Sequence, residues 1–212
     1  MRPSTRGVNP GTSVQRALAP ACRPSPVRRA RQRGQTLVEF ALVIPLFMTM
    51  LVALVEFAFI FNAILATNFA ARDGALLVAE AGSDAGGDCA MLRSIEGDMG
   101  APADRRQVQR VEVYEATANG AQSGAATVWT RSGSTTCTLP DGTSISVPYT
   151  RTANGYPVAN RCNILAGCSG QPLDYVGVRV TYRHTWRTPF GSTFGPYLEV
   201  VKSNSMRMEP VL

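Results

Sequence analysis

Twenty-five residues from Leu37 to Phe61, LVEFALVIPLFMTMLVALVEFAFIF, form an apolar run broken only by Glu39, Pro45, Thr49 and Glu56. About 20 apolar residues in a helix cross a hydrocarbon core of roughly 30 Å, so the run predicts a membrane-spanning helix. A carboxylate inside such a helix costs on the order of 2.5–3.5 kcal/mol at mid-span and less near its ends. Each glutamate therefore needs a reason. Glu56 lies 17 residues beyond Glu39, about 25 Å along the axis. That position is expected to reach the far interface, where a carboxylate meets water. Glu39 lies one turn into the run and is expected to need a partner.

Charge is distributed unevenly around this run. Residues 1 to 34 carry eight arginines and no acid, while the whole chain is only +6, so the remaining residues are net −2. Positive flanks stay on the cytoplasmic side of a membrane span, which predicts the N-terminus inside and the C-terminal part outside. Neither aromatic nor Gly-rich RNA-binding patterns accompany the arginines, so no nucleic-acid partner is expected. The same tail holds five prolines and few large apolar side chains, and residues 1–34 read as a disordered basic leader. A start at Val27 would shorten this leader to VRRARQRG. The apolar core is longer than the 7–15 residues of a secretory signal peptide, and Arg28-Arg29 lacks the apolar context of twin-arginine export.

A cut between Gly34 and Gln35 would supply the partner that Glu39 needs. It frees an amine at Gln35, and Glu39 follows four residues later on the same helix face, about 6 Å along the axis. In a packed bundle the carboxylate would meet the amine of a neighbouring helix instead, setting register during assembly.

These residues carry a resemblance. The basic leader, Gly34 and the following Gln35-Thr36-Leu37-Val38-Glu39-Phe40 resemble the processing motif of type IV prepilins in its Flp-type form. The longer string, with Gly34 to Pro45, Val55-Glu56-Phe57 and Asn68-Phe69-Ala70-Ala71-Arg72-Asp73-Gly74-Ala75, is similar to the TadE-like family of tight-adherence pilus assembly proteins. The resemblance implies cutting by a prepilin peptidase between Gly34 and Gln35, with Glu39 fifth and Phe40 sixth after the cut. It implies assembly roles for Glu39, Phe40 and Glu56 in a bacterial cell membrane, with pilin or other pseudopilin subunits and assembly machinery as partners. It implies a structural part, neither an enzyme nor a cofactor protein. The rival reading is an uncleaved single-pass protein carrying an extracellular binding module unrelated to pili.

After a span over 35–61, the helical pattern continues through 62–82, with Gly82 as its C-terminal stop. Ala66, Ala70 and Gly74 form a stripe at four-residue spacing that would let another backbone approach closely in an assembly contact. Leu65, Phe69 and Leu76 on the adjacent face are expected to pack on the protein's own sheet. Residues 83–212 read as an extracytoplasmic α+β domain, with a helix over Asp88 to Asp98 and a small antiparallel sheet. Strands are expected around Val111 and Val113, from Ala126 to Arg131, from Tyr175 to Trp186, and from Pro196 to Met208, with a hairpin around Pro140-Asp141-Gly142. Thr188 to Pro196 is expected to fold back on the protein rather than touch the membrane surface.

Cys89, Cys137, Cys162 and Cys168 all follow the span, where an oxidising compartment predicts two disulfides in one of three connectivities. The expected pairs are Cys162 with Cys168 across a short loop, and Cys89 with Cys137. A metal site is not expected, because no C-x-x-C pair occurs and His184 is the single histidine. His184 falls among the apolar residues at the end of a strand, where a hydrogen-bonded role is expected rather than catalysis.

Overall fold

The computed structural model describes residues 27–164, 168, 172–189 and 191–209. Most of the basic leader and part of the loop around Cys168 lie outside the described residues. One helix, α1, runs from Val27 to Ala81. It begins seven residues before Gly34, inside the stretch expected as leader, where arginine, alanine and glutamine all have good helix propensity. The helix ends where Gly82 takes φ +53 and its N–H donates to Val78 O at 3.0 Å. The chain divides into two units, up to Phe47 and from Met48 onward.

In the second unit α2 follows at Gly87–Asp98, and a 3-10 turn at Arg105–Gln107 leads into the strands. These are β1 (Val108–Ala116), β2 (Gln122–Thr130), β3 (Thr135–Thr138), β4 (Ser144–Val147), β5 (Thr150–Asn154), β6 (Tyr175–His184) and β7 (Leu198–Arg207). Five form an antiparallel sheet in the order β5-β2-β1-β6-β7, and β3 with β4 makes a separate hairpin. That hairpin turns at Pro140-Asp141-Gly142, as expected, with Asp141 Oδ1 accepting from Thr143 N–H at 2.8 Å. The fold is a long helix followed by an α+β domain.

The alternation in β6 places Val176, Val178, Val180 and Tyr182 on one face, all buried. The central register sets Val111 of β1 opposite both Trp129 of β2 and Val180 of β6. Over this face lie α2, through Met91, Leu92 and Ile95, and the C-terminal part of α1, through Ala63, Ala70, Ala71, Ala75, Val78 and Ala79. Alanine dominates the α1 contribution because the helix lies close to the sheet. A methyl added at Gly74 would stand 3.3 Å from Val178 Cγ1, Ile95 Cδ1 and Met91 Cγ, tighter than ordinary contact.

This reverses the expected roles on α1. The small residues Ala70 and Gly74 are buried against the domain's own α2 and sheet, and Ala66 is half-buried beside them, so the stripe is not a surface for a neighbour. Leu65, Phe69 and Leu76 are instead exposed, as are Phe57 and Phe61. Close helix-to-sheet packing selects small residues for the inner face and leaves the larger ones outside.

Both expected disulfides are present, Cys89–Cys137 closing 48 residues and Cys162–Cys168 closing 6. The first ties α2 to β3. Beside it, Asp88 on α2 forms a buried ion pair with Arg161 (Oδ1 to Nη2, 2.7 Å) and accepts from Trp129 Nε1 at 3.3 Å. The Arg161 guanidinium also stands 5.5 Å from the centre of the Tyr156 ring.

Where α2 ends, Asp98 carries a buried Oδ2 with no hydrogen-bond partner. Burial, then the nearby charge of Asp73 on α1, holds its carboxyl above the usual aspartate range. In the unfolded chain Asp98 ionises near its ordinary value of about 3.9. Its raised folded value therefore favours folding at low pH, and this contribution is lost as pH rises through that value. Asp98→Asn is expected to raise Tm at neutral pH, with the gain fading below the unfolded pKa. Melting curves of both proteins across pH in one detergent check this; a gain that does not change with pH contradicts it.

Candidate functional site

Two sets of residues on α1 carry the features singled out by sequence, one in each unit. In the first, Gly34, Gln35, Glu39 and Phe40 are all helical and exposed. Gln35 Nε2 donates to Glu39 Oε1 at 3.1 Å, as their four-residue spacing allows. In the chain before any cut, the side-chain amide of Gln35 thus contacts the carboxylate. Nothing lies within 4 Å of a methyl added at Gly34. A glycine inside a helix costs about 1 kcal/mol relative to alanine, and no close packing offsets that cost here. From Leu37 to Leu54 the large apolar side chains other than Ile44 are exposed, among them Leu37, Phe40, Leu42, Leu46, Phe47, Met50 and Leu54. Within Gly34–Ala81 there is one stretch long and apolar enough to cross a membrane, none of it buried inside the protein. It fits a membrane-anchored protein.

The second set is built around Glu56, where the structure corrects the expectation. Glu56 is 4 % exposed, not a solvated interfacial acid. Its Oε1 accepts from Arg187 N–H at 3.1 Å and its Oε2 from Thr188 N–H at 2.9 Å. His184 Nε2 lies 3.3 Å from the same Oε1, where the Nε2–H tautomer donates. The cause is the direction of β6, which passes Val178 beside Gly74 and brings His184 beside Glu56, antiparallel to α1. The backbone just past its end then presents two N–H groups that no strand partner takes. A carboxylate with two acceptor oxygens satisfies them.

Further contacts hold the connection between β6 and β7 in place. Trp186 packs edge-on to His184, with ring centroids 5.9 Å apart, and its Nε1 donates to Gly195 O at 2.7 Å. Thr185 exchanges two hydrogen bonds with Gln107, donating its N–H to Oε1 and accepting from Nε2 at Oγ1. The fold-back expected for Thr188 to Pro196 is thus seen at Thr188, through Glu56. The hydrogen-bonded role expected for His184 is met by a partner 128 residues away. The Asp88–Arg161 pair, joining α2 to a loop far along the chain, leaves no local pattern in the sequence.

Among the described residues no group of three or more His, Cys, Asp or Glu is placed to hold a metal ion. The arrangement of Glu56 and His184 is a closed set of hydrogen bonds that fastens a helix to a sheet. Comparison with known proteins bears on the helix alone: residues 34–76 match the family model described as TadE-like protein. This segment is similar to that family. The match includes Gly34, Gln35, Glu39, Phe40 and Glu56, and ends two residues past Gly74, so it covers the apolar run and the first part of the helix that packs on the sheet. The match suggests a pilus-assembly-related protein, and the family matched is one of structural pilus components. No curated protein and no solved structure matches the chain.

Proposed function

We propose that the chain is a TadE-like pseudopilin, a membrane-anchored structural or assembly component of a tight-adherence (Flp, type IVb-like) pilus or secretion system. Its N-terminus is cytoplasmic, its sheet domain is extracytoplasmic, and a prepilin peptidase cuts it between Gly34 and Gln35. The observation that carries this reading is Gly34 itself, a helix-interior glycine with nothing within 4 Å of its missing methyl. It is followed by a Gln35–Glu39 pair at the start of an exposed apolar helix. A requirement from outside the chain, that of an enzyme's binding groove, accounts for such a glycine. After the cut, the new Gln35 amine and Glu39 are available to one another or to neighbouring subunits.

Because the sheet domain engages Glu56, the membrane span in this proposal is residues 35–55, shorter than the 35–61 expected from sequence. Twenty-one helical residues reach about 31 Å, enough for the hydrocarbon core. The surface of α1 offered to another subunit beyond the span is Leu65, Phe69 and Leu76.

Pulse-chase of wild type and Gly34→Ala in cells with and without the peptidase tests the cut. Wild type is expected to lose residues 1–34 only when the peptidase is present, and Gly34→Ala is expected to stay full-length. Identical mobility of wild type in both strains refutes processing. A retained leader together with full tolerance of Glu39→Ala would favour the uncleaved binding module.

A further inference from the structure

The end of the sheet that reaches Glu56 carries an unusual set of side chains. Along α1, residue numbers fall from Gly74 beside Val178 to Glu56 beside His184, so β6 points toward the apolar run and the β6–β7 connection lies at that end. Three aromatic residues mark this connection. Trp186 is half-buried, while Phe194 and Tyr197 are exposed, Phe194 to 71 %, with the Trp186 and Phe194 rings 6.3 Å apart. Gln107 pairs with Thr185, so the turn before β1 lies at the same end, bringing exposed Arg105 and Arg106 with it. Arg105, Arg106 and Arg187 line one cleft of about 550 Å³ together with Phe59 of α1, and the Arg187 guanidinium stands 5.9 Å from the Phe59 ring centre.

Three acids at this end already accept hydrogen bonds. Asp104 accepts from Arg106 N–H at 2.9 Å, Glu96 accepts from Arg131 and Tyr149, and Glu56 is buried under the Arg187 and Thr188 amides. Glu199 stands opposite Arg183 in the β6–β7 register. Among the described residues, the three cleft arginines have no carboxylate within ion-pair distance. Trp186 and Tyr197, rings with a polar edge, together with the apolar Phe194, beside arginines and next to an apolar helix, match the zone where acyl chains give way to headgroups.

We propose that this end of the domain is a lipid-facing collar. Trp186, Phe194 and Tyr197 enter the interfacial zone of the bilayer, and Arg105, Arg106 and Arg187 bind the phosphates of anionic phospholipids. The collar rests on the membrane-anchor reading. It fixes the domain against the bilayer surface at the point where Glu56 fixes it to the helix.

The chain has two tryptophans, and Trp129 is buried, which makes Trp186 a natural reporter. The full chain is reconstituted into phosphatidylcholine vesicles containing a minority of phosphatidylglycerol, with bromine on the upper acyl chain of one lipid or the other. Flotation with the vesicles reads anchoring, and tryptophan quenching reads the collar. Wild type is expected to float and to be quenched by either brominated lipid, and Trp186→Phe is expected to float and lose the quenching. Brominated phosphatidylglycerol is expected to quench as though enriched about fivefold over its mole fraction, the attraction one arginine has for an anionic surface. Combined Arg105→Gln, Arg106→Gln and Arg187→Gln should abolish that enrichment and leave the remaining quenching intact. Flotation without quenching, or quenching that survives Trp186→Phe, overturns the collar and leaves the anchor standing. Quenching in proportion to mole fraction overturns the role of the arginines. Failure to float overturns the anchor reading and the collar together.

Discussion

Glu56→Ala is expected to destabilise the sheet domain by about 3–5 kcal/mol. The substitution strips acceptors from the part-buried N–H groups of Arg187 and Thr188, and a donor left unpaired costs about 1–3 kcal/mol when fully buried and less where water reaches it. It also leaves His184, itself 3 % exposed, without the carboxylate beside it. Glu56→Gln retains one carbonyl oxygen but turns an amide NH2 toward backbone donors, so an intermediate loss is expected. Thermal unfolding in detergent measures the loss, and limited proteolysis locates it, since early cleavage should appear in residues 185–197. An unchanged Tm for Glu56→Ala would mean that the carboxylate is solvated. In this geometry the acid acts within its own subunit.

The second large effect is expected at the Asp88–Arg161 pair. The Arg161 side chain is fully buried and that of Asp88 is 5 % exposed. Removing one member of a buried pair leaves an uncompensated charge and costs about 3–5 kcal/mol, whereas replacing both with apolar groups is often close to neutral. Asp88→Ala should therefore unfold the domain at markedly lower temperature. Combined Asp88→Ala and Arg161→Met should recover most of the loss. A double-mutant cycle read by thermal unfolding decides this, and additive losses would show that the two residues are not coupled. Because Asp88 also accepts from Trp129, near-ultraviolet circular dichroism should report the same change at the indole.

What the sequence made legible follows the range of the forces involved. The apolar run, the Gly82 stop and the β6 alternation are local patterns, and α1 and β6 appear where those patterns place them. The Pro140-Asp141-Gly142 turn and both disulfides were also within reach, the shorter bridge from its spacing. β5 was missed because Thr150–Asn154 is an edge strand with no buried residue, so its side chains carry no period-two apolar signal. For α1 the pattern gave the helix but not which face turns inward. That was settled by how closely β6 and α2 approach at Gly74, a distance that no residue spacing encodes. Glu56 was visible as an anomaly in an apolar run, yet its partners are backbone amides more than 130 residues away, groups that every residue but proline possesses. At Gly34 and Glu39 the motif was plain, since it is confined to a short stretch of chain.

The antiparallel course of β6 against α1 also has a mechanical meaning. Contacts between helix and sheet extend from Glu56 to Ala79, where Glu209 N–H donates to Ala79 O at 3.2 Å, about 35 Å along the axis. A pull along α1, with the sheet held, loads all of these contacts together in shear rather than opening them one after another from an end. The Glu56 hydrogen bonds sit at the edge of that contact nearest the apolar run, and would take up strain first if the pull were oblique. A subunit joined in this way resists axial tension far better than sideways peeling.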